Sequence, residues 1–193
     1  MELFIFVDVS GSMNEMAKIH LQRNLCRYVA QLRLIDQEKY LGLDIRLYQW
    51  AQNIAEVALQ SDGDIPAFNA EGSSNLYVLS DFLSQYLNDT GRLMVLILSD
   101  GNFPNSDIVS FQNQLGTFSD LIIRTVAVGA DADLLKLKKI STNNTVYLSE
   151  NIASAIDSTI FDSDEPLTAP VSTARILESA PAETEEPEED WDA

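Results

Sequence analysis

Cysteine, histidine and basic residues are all scarce in this chain of 193 residues, and each scarcity excludes something. A single cysteine, Cys26, rules out an intrachain disulfide. It sits among apolar residues of a helix-like stretch and reads as a small buried hydrophobe. The one histidine, His20, falls in line with Asn24, Arg27 and Gln31 on a polar helix strip, a solvated position rather than that of a catalytic base. Only 12 Lys and Arg stand against 30 Asp and Glu, a net charge of −18 that repels nucleic acid and anionic membrane surfaces. Long apolar runs are also missing. The first, Leu3–Val7, is too short for a signal-peptide core or a membrane span, and Glu2 stands where a signal would carry positive charge, so the expected setting is cytoplasmic. There is no glycine fingerprint after the first strand, no phosphate loop and no G-x-S-x-G elbow. Dinucleotide binding, an intrinsic ATPase and serine hydrolysis are thereby disfavoured.

What is present alternates strand and helix. LFIFV (3–7) and LMVLIL (93–98) are continuous apolar runs, the pattern of strands buried on both faces. LIIRTVAVG (121–129) and TVYL (145–148) are further strands. DIRLYQWA (44–51) alternates, and AEVAL (55–59) is expected to pair with it across a short turn. Apolar residues at helical spacing predict helices around Leu21, Leu25, Tyr28, Leu32 and Ile35, and around Leu76, Leu79, Phe82, Leu83, Tyr86 and Leu87. Further helices are predicted over 106–118, at Leu134–Ile140 and over 151–161. The expected fold is α/β, a Rossmann-like, doubly wound and mostly parallel sheet with one antiparallel edge strand and helices on both faces. Ligands in such sheets bind at the carboxyl edge, where strand order reverses.

The two most apolar strands both end in carboxylates at that edge, in DVSGSM (8–13) and LSDG (98–101). An aspartyl nucleophile at Asp8 would call for a second carboxylate at Ser10 and a lysine nearby, and the later part of the sheet offers only Lys136, Lys138 and Lys139 on a helix. A metal uses all the residues at once. Asp8, Ser10 and Ser12 lie in one turn in which Gly11 is expected to let the backbone bend, GSSN (72–75) adds hydroxyls, and LSDG adds Asp100. These hard oxygen ligands suit Mg²⁺, Mn²⁺ or Ca²⁺.

The order D-x-S-x-S, then a hydroxyl in a Gly-containing turn, then Asp in an S-D-G context resembles the von Willebrand factor A (VWA) domain and its metal-ion-dependent adhesion site, over Glu2 to about Phe161. The resemblance implies direct metal binding by Ser10, Ser12 and Ser74, with Ser74 in place of the usual threonine beside a second hydroxyl at Ser73. It implies that Asp8 and Asp100 act largely through bound water. The metal then bridges to an Asp or Glu carboxylate of a partner protein, and no catalysis is expected. The stretch VAVGADADLLKLKKIS (126–141) further resembles the stand-alone bacterial TerY-like members, which implies an adaptor in a stress-response or conflict system, with an ATPase or a kinase/phosphatase of the same system among its partners. The alternatives are a metal-dependent hydrolase or phosphotransfer enzyme using the same oxygens, and an accessory subunit of a MoxR-like ATPase.

Two domains of unequal order are expected: the VWA domain over 1–161 and a disordered tail over 162–193. The tail carries eleven acidic residues and one basic, with Trp191 set among acids as a candidate contact for a partner.

Overall fold

The computed structural model describes residues 1–59, 64–90 and 92–162. The acidic tail beyond Asp162, Trp191 included, lies outside them, as does part of the expected loop at 61–66.

β1 (Glu2–Asp8) shows why its sequence does not alternate. Leu3, Ile5 and Val7 enter one hydrophobic core and Phe4 and Phe6 the other, so every position is covered. β4 (Leu93–Ser99) divides in the same way, with Met94, Leu96 and Leu98 on the first face and Leu93, Val95 and Ile97 on the second. Around these two run β2 (Asp44–Trp50), β3 (Ile54–Val57), β5 (Leu121–Ala127) and β6 (Val146–Leu148), in the order β3-β2-β1-β4-β5-β6. All neighbours are parallel except β2 and β3, which form the expected antiparallel edge. Ile45 and Leu47 of β2 face the first core, Tyr48 and Trp50 the second.

Helices α1 (Lys18–Ile35) and α5 (Ile152–Phe161) cover the first face. Helices α2 (Leu76–Thr90), α3 (Asn105–Leu115) and α4 (Leu134–Ile140) cover the second. The apolar stripe of α1 is rotated from the one expected. Ile19, Leu25, Cys26, Val29 and Leu32 are buried, whereas Leu21 and Ile35 are exposed. The rotation follows from two polar residues, Lys18 and Gln22, that the helix turns inward at the carboxyl edge of the sheet. α3 stops at Leu115, short of the predicted Phe118, where Gly116 N–H closes the last turn on Gln112 O at 2.8 Å. Among the described residues no helix is long and apolar enough to cross a membrane.

The chain winds from β1 through β2 to β3 on one side and from β4 through β5 to β6 on the other. Strand order therefore reverses between β1 and β4, and both carry their carboxylates just there.

Candidate metal centre

At the end of β1 the Asp8 carboxylate turns back on its own chain, and its Oδ1 accepts from Ser10 N–H at 2.9 Å. Asp100, just past the end of β4, repeats the turn, its Oδ1 accepting from Asn102 N–H at 3.0 Å. Each strand thus ends in an Asx turn that holds the next residues against the sheet edge. The 3₁₀ segment Gly11–Ala17 follows β1. It is stitched to the loop before α2 by Gly11 N–H to Gly72 O, 3.0 Å, and Glu71 N–H to Val9 O, 2.8 Å. Gly11 is not among the residues with positive φ. Its smallness serves the close approach instead, since a Cβ there would lie 3.3 Å from Gly72 O. The chain does bend at this point, without a left-handed φ at Gly11.

That stitching brings Ser74 to Asp8. Ser74 Oγ lies 3.0 Å from Asp8 Oδ1 and 2.9 Å from Oδ2, while Ser73 is exposed. Asn75, next in the loop, caps α2 by accepting from the N–H groups of Tyr77 and Val78 at 3.0 and 3.2 Å. Its carbonyl also receives the Trp50 indole N–H at 2.8 Å, which fixes the loop to β2. Ser10 Oγ and Ser12 Oγ are 3.2 Å apart. Hydrogen bonds therefore join Asp8, Ser10, Ser12 and Ser74 into one cluster. Asp100 stands at the adjacent strand end, but its carboxylate is engaged elsewhere.

Three residues at the site, Ser99, Lys18 and Asp131, had no assigned role in the sequence. Ser99 donates to Asp8 Oδ2 at 2.6 Å and accepts from Gly101 N–H at 3.0 Å. Lys18 reaches across from the first turn of α1, its Nζ 2.7 Å from Asp100 Oδ2 and 2.9 Å from Asp131 Oδ2. The expected lysines lie in the later part of the sheet, whereas Lys18 comes from α1 near the start of the chain. Lys18 was hidden because it opens a helix behind two residues with positive φ, Met16 and Ala17, an irregular entry that no periodicity reveals. A lysine at the positive end of a helix dipole was the one available signal.

Electrostatically the two carboxylates differ. Asp8 is fully buried, and its partners, the Ser10 N–H and the hydroxyls of Ser74 and Ser99, are all neutral. Burial pushes its pKa up, and the hydrogen bonds only partly offset that. Burial alone would push the Lys18 ammonium down, but the two carboxylates beside it win and its pKa lies above the usual lysine value. Asp131, held by that ammonium, is shifted below the ordinary carboxylate range.

The oxygens fit a small hard cation. Neighbouring ligands of an octahedral ion with bonds of about 2.1 Å lie roughly 3 Å apart. The Ser10–Ser12 separation of 3.2 Å matches that spacing, and Ser74 is held beside them by its hydrogen bonds to Asp8. No group of three or more His, Cys, Asp or Glu side chains is gathered among the described residues, so the donors here are alcohols and two carboxylates. Beside the cluster opens a cleft of about 520 Å³ lined by Gln49, Gln52, Asn53, Asn69, Glu71 and Gly72.

No protein-family model and no curated protein matches the sequence. Solved structures do match the fold. VWA2, a paralog of ArnB from Sulfolobus acidocaldarius, superposes with a TM-score of 0.61 at 16% identity over 80% of this chain and 43% of its own. The manganese-loaded TRAP protein of Plasmodium vivax gives 0.58 at 15% identity over 83% of this chain and 73% of its own.

The chain has the von Willebrand factor A fold.

Proximal thread matrix protein 1 from the mussel byssus, a structure with a zinc-occupied metal-ion-dependent adhesion motif, matches this VWA fold with a TM-score of 0.56 at 12% identity, over 82% of this chain and 46% of its own. The chain thus spans less than half the length of two of these three relatives. At these identities the likeness is one of fold, and the chemistry of the site rests on its own residues.

Proposed function

We propose that this chain is a protein-interaction module that holds a divalent cation, Mg²⁺ or Mn²⁺ with Ca²⁺ as a further candidate, and uses it to capture an Asp or Glu carboxylate of a partner. The observation that carries the reading is the buried Asp8 carboxylate, whose hydrogen-bond partners are all neutral, beside the Ser10 and Ser12 hydroxyls at ligand spacing. A buried anion without a positive partner is costly, and a cation removes that cost. Ser10, Ser12 and Ser74 would hold the ion directly, with Asp8 and Asp100 acting through water. Because the hydroxyls are neutral, the ion keeps an appetite for one more anion. The polar cleft beside Gly72 offers amide side chains to the segment that carries it. Manganese in TRAP and zinc in the mussel protein support a divalent ion in this fold.

The enzyme alternative needs a lysine free to meet a phosphate. Lys18 is instead held by two carboxylates, and its side chain is 1% exposed. The resemblance of residues 126–141 to TerY-like members supports the narrower reading, a cytoplasmic bacterial stress-response adaptor whose partners include an ATPase or a kinase/phosphatase. The folded unit is proposed to run to Asp162, one residue beyond the expected boundary, since Asp162 pairs with Arg124.

Titrating Mg²⁺ and Mn²⁺ calorimetrically into wild type, Asp8→Ala and Ser10→Ala tests the site. Binding is expected in wild type and lost in both variants. Captured partners should be released by EDTA. Equal uptake by all three proteins would reject the reading.

A further inference from the structure

Placing Lys18 beside Asp100 costs the fold three times. Its position on the first turn of α1 opposes the helix dipole. The entry to the helix runs through Met16 at φ 51° and Ala17 at φ 58°, left-handed values that residues with a Cβ adopt under strain. The stem of the side chain then crosses Gly129, at φ +95°, where a Cβ would lie 2.6 Å from Lys18 Cδ. Glycine, two left-handed residues and a buried ammonium together deliver one fixed positive charge to Asp100 Oδ2, at 2.7 Å.

The consequence is an unequal pair of carboxylates. Asp100 carries the ammonium on Oδ2 and a backbone N–H on Oδ1. Asp8, one strand away, has neutral donors only. Asp131 shares the ammonium but is 43% exposed, so water screens its charge far more than that of Asp8 or Asp100, both of which are buried. Two buried carboxylates would by themselves balance a divalent ion. With Lys18 between α1 and β4, they fall about one charge short.

We propose that Lys18 is the positioning residue that sets the charge of this site: by offsetting Asp100 it weakens the hold on the metal alone and makes metal binding tighter when a carboxylate ligand is present. This rests on the metal-site reading above and adds to it a coupling between ion and acidic partner. Ion and carboxylate then each raise the affinity for the other.

Mn²⁺ alone is the probe, its affinity for the full chain read by electron paramagnetic resonance in chloride and in acetate at matched ionic strength. Acetate should tighten Mn²⁺ binding to wild type. Lys18→Met should bind Mn²⁺ about tenfold tighter in chloride and lose most of the acetate effect, as expected when one nearby charge is removed. Asp131→Asn changes an exposed residue and leaves the ammonium to Asp100 alone. It should move both readouts the other way, weaker in chloride and more dependent on acetate. A purely structural lysine predicts looser binding in both salts after either change, and that result overturns the proposal. So does an acetate effect that neither variant alters. Asp8→Ala separates the two levels. If wild type and Asp8→Ala take up Mn²⁺ alike, the site itself is refuted and the proposal with it. If Asp8→Ala alone abolishes uptake while the acetate effect stays fixed in the other two, the site stands and only the role of Lys18 falls.

Discussion

Ser99 Oγ donates to Asp8 Oδ2 over 2.6 Å, and the same oxygen accepts from Gly101 N–H at 3.0 Å. One hydroxyl thus ties the end of β1 to the turn after β4 and orients the buried carboxylate of the site. Ser99→Ala leaves Asp8 with one fewer donor and Gly101 N–H without its partner. A buried hydrogen bond to an ionised group is worth about 1.5–3 kcal/mol. Urea unfolding in EDTA should show a loss of that size, and Mn²⁺ titration a several-fold weaker site. Unchanged stability would mean that water replaces the hydroxyl.

Gly101 is held by geometry on its other side. Its φ is +76°, and a Cβ there would sit 2.9 Å from Asp133 O and 3.2 Å from Leu137 Cγ. Asp133 in turn donates its N–H to Asp100 O at 2.8 Å and caps α4 by accepting from Lys136 N–H. Gly101→Ala combines a strained φ with a backbone contact too short to keep, at a cost of about 1–3 kcal/mol. Thermal melts should show the loss without metal, and Mn²⁺ affinity should fall as the turn carrying Asp100 shifts. Wild-type values for both would show that the turn is softer than its contacts imply.

These two residues mark what the sequence could and could not reveal. The apolar runs of β1 and β4, the alternation of β2 and the polar strand ends are local patterns, and they led directly to the sheet, its antiparallel edge and its switch point. The cluster of Asp8, Ser10, Ser12 and Ser74 was legible because each residue lies at or near an element boundary that the pattern already located. Lys18, Ser99 and Gly129 were not. Their roles depend on the rotation of α1 about its axis and on the crossing of the Lys18 stem over Gly129, which are tertiary facts without a periodic signature. The stripe of α1 was misplaced for the same reason. Apolar spacing finds the helix but misplaces its buried face when that face turns Lys18 and Gln22 inward.

Arg124 is another polar residue hidden in an apolar run. It lies in the middle of β5 with no exposed surface. Its Nε donates to Ser158 Oγ at 2.8 Å, its Nη1 to Thr142 O at 3.2 Å and its Nη2 to Asp162 Oδ1 at 3.3 Å, joining α5 to the sheet. Arg124→Ala removes these bonds and leaves a cavity, a loss of about 2–4 kcal/mol. Asp162 is largely exposed, so Asp162→Asn should cost no more than about 1 kcal/mol. Urea unfolding of the two variants side by side measures the asymmetry. Equal losses would place the value of the cluster in the ion pair rather than in the buried guanidinium.

Cys26 offers a chemical readout of the same fold. It is buried on α1, two turns beyond Lys18, and burial pushes its thiol from 9.0 up to about 12. The thiolate is the reactive form, so an aromatic disulfide reagent at pH 8 should label the native chain very slowly and the urea-unfolded chain at once. The sign of the linkage follows from the raised value. The contribution of Cys26 to stability is full below pH 9 and is lost as pH climbs toward 12. Labelling that requires unfolding must also slow when an ion binds only the folded state. Mn²⁺ at 100 times its dissociation constant adds about 2.7 kcal/mol, a slowing of about 100-fold. The same addition to Asp8→Ala should leave the rate unchanged. Rapid labelling of the native chain would show that α1 opens locally. A metal effect that survives in Asp8→Ala would place the ion elsewhere.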